Sequence, residues 1–308
     1  MISFYKTEQK KMVQLEKRES GCWINVTDPT EIEIDELAEE MGVEVDFLRA
    51  ALDEEESSRI ECEDGIVLLV VDIPRVERED EAVIYSTMPF GIIFTPENVI
   101  TVCLRENTII REFANGSAKQ FRTDFKTQFV FQLLYTIANR YLQYLKQIDK
   151  ISTHVERKLH ASLKNSELIQ LLDLEKSLVY FSTSLKGNQV TLQKLMRGKF
   201  IKMYEEDQDL MEDVLIELRQ AIEMSEIYSS ILSGTMDAFA SIISNNLNNV
   251  MKVLTSMSII LTIPTMIASF YGMNVSGLPI PSFWFPVALS VGASIITAIF
   301  LKIKGLLK

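Results

Sequence analysis

Apolar residues in the middle of the chain recur every three or four positions. Ile137, Tyr141, Tyr144, Ile148, Ile151 and Val155 are spaced 4, 3, 4, 3, 4, and Leu171, Leu174, Leu178, Phe181 and Leu185 are spaced 3, 4, 3, 4. A third run, Met211, Val214, Leu218, Ala221, Ser225, Tyr228, Leu232, Thr235, Phe239 and Ile242, keeps that rhythm for over four heptads. The period puts each set on one stripe of a helix and predicts long helices packed side by side in coiled-coil style. The third run meets no proline before Lys252, and its Gly234 is tolerable in a helix. It therefore predicts one continuous helix from about Glu205 into the apolar region beyond residue 250, roughly 100 Å long.

The first 120 residues follow another pattern. "GIVLLVVDIPRV" and "GIIFTPENVITVCL" are β-branched runs with turn residues between them, which predict strands. "TDPTEIEIDELAEEMG" predicts a helix, with Asp28 as N-cap, Pro29 in the first helical position, Glu31 completing a capping box and Gly42 ending it. "FANGSAKQ", around Asn115 and Gly116, reads as a loop and a boundary.

From Val253 to Leu301, 49 consecutive residues carry no Asp, Glu, Lys, Arg or His. A membrane-spanning helix needs ~20 apolar residues, so two spans and a short turn fit. The alternative is a buried hairpin in a soluble core. Lys252, Lys302, Lys304 and Lys308 flank the pair and the turn has no lysine, which places both ends in the cytoplasm. The expected organisation is a cytoplasmic α/β domain over 1–120, a long-helix stalk over 121–250, a first transmembrane helix over 251–271, an external loop over 272–282, a second transmembrane helix over 283–301 and a basic cytoplasmic tail over 302–308.

Charge sharpens this division. The net charge of the 308 residues is −12, yet no acidic residue lies beyond residue 250. An acidic body repels nucleic acid phosphates and suits cations. Cys22, Cys62 and Cys103 are scattered, as in a reducing compartment, and the N-terminal stretch lacks the apolar core of a secretory signal. His154 and His160 are six apart and cannot chelate together from one helix face. No phosphate loop, nucleophile elbow or zinc spacing appears, so neither an enzyme nor an organic cofactor is expected.

In the first apolar segment, Ser258, Thr262, Thr265 and Ser269 are spaced 4, 3, 4 and fall within an arc of ~60°. The same face continues to Leu254, Met251 and, at its edge, Asn248. Small hydroxyl residues also let membrane helices pack closely, so the stripe reads either as a packing face or as a pore lining. One helix cannot line a pore, so the second reading needs several copies around an axis. Beyond the stripe stands "YGMN". A ring of Asn274 amides would offer neutral oxygens that hold hydrated Mg²⁺ weakly enough to release it. Gly272 lets the chain turn sharply there, and Met273 packs the turn.

These residues carry a resemblance. "MKVLT" with Gly272, Met273 and Asn274 downstream, then a short loop and a second span, is similar to the CorA family of magnesium and cobalt transporters. The resemblance implies a funnel-shaped homopentamer with an α/β cytoplasmic domain, a long stalk helix forming the pore and an outer ring of second spans in the lipid. It implies a bacterial or archaeal cell membrane, passive uptake of Mg²⁺, with Co²⁺ or Ni²⁺ as further cargo, and Mg²⁺ as the regulatory ion. It puts Asn248, Met251, Leu254, Thr262, Thr265 and Asn274 on the conduit. The family often has methionine at the position of Thr262, and its loop usually carries acidic residues in a motif like M-P-E-L; "VSGLPIPSFW" has none.

Between Glu31 and Asp64 stand 15 acidic residues against Arg49 and Arg59. This is either a solvated face or a divalent-ion sensor between subunits. The resemblance aligns Asp213 with a regulatory metal aspartate and places its inter-subunit partner near Glu77 to Asp80. Two rivals stand beside a Mg²⁺ channel: a zinc transporter of the same superfamily, and a membrane-tethered coiled-coil scaffold that transports nothing.

Overall fold

The computed structural model describes residues 1–9, 11–79, 82–116, 122–162, 165–198, 200–273, 280 and 282–307. The strands are β1 (Ile2–Glu8), β2 (Lys11–Leu15), β3 (Trp23–Thr27), β4 (Arg59–Glu63), β5 (Ile66–Glu79), β6 (Ala82–Phe94) and β7 (Val99–Cys103). They form one sheet in the order β2-β1-β3-β7-β6-β5-β4. Every neighbouring pair is antiparallel except β3–β7, which the chain closes by crossing over from one half of the sheet to the other. The N-terminal stretch thus supplies the antiparallel β1–β2 pair.

Residues Ile66 to Val71 are all buried, because helices cover both faces of the sheet. Leu68, Val70, Ile93 and Ile100 pack on α1 (Glu31–Met41) and α2 (Val45–Arg49) through Ile34, Leu37, Phe47 and Leu48. Alternation sends Val67, Leu69 and Trp23 to the opposite face. There Trp23 meets Phe129 of α4 (Lys126–Ser162) with ring centroids 5.4 Å apart, and Phe129 meets Phe113 of α3 (Thr108–Ala114) edge-on.

The start of α1 departs from the sequence expectation. Asp28 does not cap it and Pro29 lies outside it; the N-cap is Thr30, which forms a capping box with Glu33 rather than with Glu31. The Glu33 N–H donates to Thr30 Oγ1 at 3.3 Å and the Thr30 N–H donates to Glu33 Oε2 at 2.8 Å. Asp28 is committed elsewhere. It adopts φ 45° and its N–H donates to the Cys103 carbonyl, closing the end of β3 against β7. Gly42 ends the helix with φ 62°, as expected.

The long helices follow their apolar periods. Leu171, Leu174, Leu178, Phe181 and Leu185 are buried on α5 (Asn165–Arg197), and Met211, Val214, Leu218, Ala221 and Ser225 are buried on α6 (Glu205–Tyr271). Helix α6 is unbroken through residue 271, as the heptads and the apolar run together predict. After Trp284 the chain forms α7 (Trp284–Ile303). Two compact units result, Met1–Gly234 and Thr235–Lys308. The sheet and the helices α4 and α5 share the first unit, since both helices pack directly on β5 and β6.

Candidate ion pathway and regulatory carboxylates

In the second unit, α6 and α7 are each long and apolar enough to cross a membrane, and almost none of the residues in their most apolar stretches is buried. Exposure of that kind fits a lipid-facing pair and not a hairpin buried in a soluble core. The face of α6 turned to α7 is marked by its burial. Ser256 is buried and its Oγ donates to the Leu306 carbonyl at 3.2 Å. Ile260, Ile263, Ile267 and Tyr271 are half-buried, and the Tyr271 ring lies 6.2 Å from that of Phe285.

The hydroxyl stripe lies about half a turn away from that face. Ser258, Thr262, Thr265 and Ser269 are exposed, as are Asn248, Met251 and Leu254. The stripe is therefore not the seam between α6 and its own α7. Its hydroxyls are also oriented. Ser258 Oγ donates to the Leu254 carbonyl at 3.0 Å, Thr262 Oγ1 to Ser258 at 2.8 Å and Thr265 Oγ1 to Leu261 at 3.1 Å. Each hydroxyl hydrogen is held by the helix one turn back, so the oxygen lone pairs are what these side chains offer to their surroundings.

Gly272 continues the last turn, its N–H donating to the Ala268 carbonyl at 2.9 Å. Its φ is not in the left-handed region, and the chain leaves the helix in a turn at this residue. What its position requires is space: a Cβ there would stand 3.3 Å from the Ala268 oxygen. Met273 is half-exposed. Asn274 lies outside the described residues.

In the first unit, Asp213 is exposed on α6. Glu77 is half-buried on β5 and forms an ion pair with Arg75, and Arg105 Nη1 lies 3.9 Å from its carboxylate. A carboxylate so neutralised is a poor donor for a metal until Arg75 releases it. Asp80 lies outside the described residues. No cluster of three or more His, Cys, Asp or Glu poised to hold a metal occurs among the described residues.

The acidic segment is partly neutralised. Arg49 holds Glu31 at 2.5 Å, Arg59 holds Glu56 and Glu61, and Arg105 holds Glu54 at 3.2 Å. Around Glu44 the charges crowd instead: Glu63 beside it, with burial and then Asp46 and Asp64, raises its pKa above the ordinary value.

A sequence model of the family described as CorA-like Mg²⁺ transporter protein matches residues 18–303. The chain belongs to the CorA-like family. It is 31% identical over 278 residues to the cobalt/magnesium transport protein CorA of Methanocaldococcus jannaschii, covering 87% of this chain and 86% of that one. It is 24% identical to the protein of the same name from Thermotoga maritima, covering 98% of this chain and 88% of that one. The complete structure of the CorA magnesium transporter from M. jannaschii superposes with a TM-score of 0.83 at 25% identity, over 97% of this chain and 96% of that one. The α/β domain, the long helix and the two C-terminal apolar helices of this CorA-like chain are thus those of the family. Sequence reading missed the orientation of the stripe hydroxyls; a Ser or Thr inside a helix, whose hydroxyl reaches the carbonyl four residues back, is the signal that gives it.

Proposed function

We propose that this protein is a homopentameric channel that carries divalent cations, Mg²⁺ foremost, passively across a prokaryotic membrane, with both termini cytoplasmic. The observation that carries this reading is the hydroxyl stripe, exposed on the face of α6 away from α7 and holding its hydrogens inward. Several α6 helices around an axis would turn these oxygens onto a conduit. Neutral oxygens stabilise a hydrated divalent ion through its waters without holding it fast, which suits conduction. Asn274 would complete the pathway at the outer mouth. The driving force is the membrane potential, ~4.6 kcal/mol per divalent ion for each 100 mV. Asp213, with an acidic group of the next subunit, would bind the regulatory Mg²⁺.

The test is single-cysteine accessibility in liposomes that contain the full-length protein. Cys62 is exposed and is first replaced, whereas Cys22 and Cys103 are buried, and burial pushes the Cys103 thiol up to about 11. Thr262→Cys and Thr265→Cys should react with small water-soluble thiol reagents and lose Mg²⁺ flux. Ile263→Cys and Ile267→Cys, on the α7 face, should react slowly and keep it. Equal reaction at both pairs makes the stripe a packing face and sinks the reading. Uptake of Mg²⁺, Co²⁺, Ni²⁺ and Zn²⁺ in turn then ranks the cargo.

A further inference from the structure

The two apolar helices do not close on one another along their whole length. A cavity of about 900 Å³ lies between α6 and α7, away from the hydroxyl stripe. Pro264, Ala268 and Gly272 line it from α6, and Pro286, Ser290 and Ser294 line it from α7, each set at four-residue intervals. The cavity therefore follows both helices for about 12 Å. Residues this small usually let membrane helices approach closely. Here the pair makes contact elsewhere. Ser256 bonds the Leu306 carbonyl towards one end, and the Tyr271 ring stands beside that of Phe285 towards the other. Beside those contacts the small side chains leave room that neither helix fills.

The chemistry of the walls selects an apolar occupant. No residue from Val253 to Leu301 is charged, so no charged side chain of either helix reaches the cavity. Ser294 Oγ is buried and has no partner, so Ser294 shows the cavity its carbon and not its oxygen. Water would find too few polar partners there to stay. An empty space of this size would forfeit dispersion contacts along all its walls. The occupant must come from what surrounds the pair, either hydrocarbon or a second copy. The choice between them rests on the ring proposed above. The stripe lies half a turn from the α7 face, so a ring with the stripe inward sets α7 on the outside. With neighbouring α6 axes 8–10 Å apart, the five α7 helices behind them stand roughly 20 Å from one another. A helix is only about 10 Å across, so one α7 does not reach the next, and lipid fills the space between them.

We propose that the cavity between α6 and α7 is a binding site for one acyl chain of an outer-leaflet phospholipid. The cavity lies where α6 ends and α7 begins, at the far end of the pair from Lys252, Lys302 and Lys304. With those lysines on the cytoplasmic side, it opens within the outer leaflet. The chain takes the place of the missing side-chain volume between Ala268 and Ser290 and restores contact between the helices. With no charge nearby, the protein selects the chain and not the headgroup. Trp284 is exposed at the start of α7, where an amphipathic ring suits the level of the headgroups.

The experiment is photolabelling of the full chain in phosphatidylcholine vesicles that contain a little phosphatidylcholine with a diazirine midway along one chain. Labelled residues are located by mass spectrometry. Label should concentrate several-fold on Ala268 and Ser290 over Leu289 and Ile296, which are exposed on α7 outside the cavity. Ser290→Phe fills the space and should lower the label on Ala268 several-fold while leaving that on Ile296 unchanged. Ser294→Ala should change neither, because the hydroxyl is not offered to the occupant. A loss of label in Ser294→Ala would reveal a polar occupant and overturn the proposal. Even labelling of Ala268, Ser290, Leu289 and Ile296 would mean unselective lipid contact and overturn it as well. So would disulfide formation between Ala268→Cys subunits, which would put a second copy in the space. Should Ser290→Phe fail to fold, the distribution of label in the wild type decides alone. The assembled size and Mg²⁺ flux of the same vesicles keep the two readings apart. A conducting pentamer without label in the cavity loses the acyl-chain site alone, whereas a labelled cavity in a pentamer without flux supports the site and removes the channel.

Discussion

At the scale of single residues, this protein places polar groups where the backbone would otherwise be left without partners. Asn188 is buried and its amide replaces a missing strand neighbour. Asn188→Leu keeps the volume but orphans the Asp72 N–H and the Ser58 hydroxyl. The expected loss is about 2 kcal/mol, seen as a lower thermal midpoint of the full chain, while the Asp72 carbonyl keeps Tyr141. The sequence does not reveal Asn188, because in a heptad reading a polar residue is assigned to the solvent side. Its signal is a second helical period: Ser177, Ser184, Asn188 and Thr191 are all buried and spaced 7, 4, 3 beside the leucines. Asn274 is the opposite case, legible at once as an amide in a charge-free region. Asn274→Ala should abolish Mg²⁺ uptake into liposomes and leave the assembled size unchanged, because it removes the side-chain oxygen at the proposed mouth. Normal uptake by that variant would remove the outer ring from the selectivity argument.

At the scale of elements, helices were more legible than strands, for a physical reason. A long helix repeats one apolar period many times, so the buried stripe of α5 and the extent of α6 could be read from spacing. The hairpin β1–β2 contains Lys6, Lys11 and Gln14 and buries little, so its alternation is weak against the charge around it. The start of α1 was misread by two residues because Asp28-Pro29 and Thr30 offer competing caps. The sheet decides between them, since Asp28 is held by the Cys103 carbonyl. Thr30→Ala should therefore cost about 1 kcal/mol of stability, and Asp28→Ala should leave the capping box intact. Equal losses in denaturant midpoint would mean that Thr30 contributes nothing special as a cap. In α6, Thr262→Val keeps the shape of the side chain and deletes its oxygen. If that oxygen faces a hydrated ion, Mg²⁺ uptake should fall several-fold without loss of assembly; as a packing contact, Val would serve as well as Thr.

At the scale of the whole molecule, charge is the organising quantity. All 43 acidic residues precede residue 251, and the four lysines at 252, 302, 304 and 308 are the charges that follow it. Copies brought together as a ring would set these acidic bodies side by side. Where they approach within the ~8 Å over which physiological salt screens charge, a divalent ion between them relieves the repulsion. Asp213 is available for such a bridge, being exposed, whereas Glu77 is held by Arg75. It lies 35 residues before Asn248 on the same helix, so in the proposed ring its carboxylate would act on the conduit by changing how subunits lean on one another. If metal bridges Asp213 to the next subunit, the bridge stabilises the closed ring, and its loss lets the ring loosen. Asp213→Lys sets a permanent cation among those acids and imitates bound metal. Asp213→Ala offers neither bridge nor imitation. Millimolar Mg²⁺ should protect the wild type from protease, protect the alanine variant less, and add little to a lysine variant already partly protected without it. Wild-type protection in the alanine variant would take Asp213 out of the mechanism, and the repulsion between subunits would then have to be met by the arginine pairs that already neutralise part of the acidic segment.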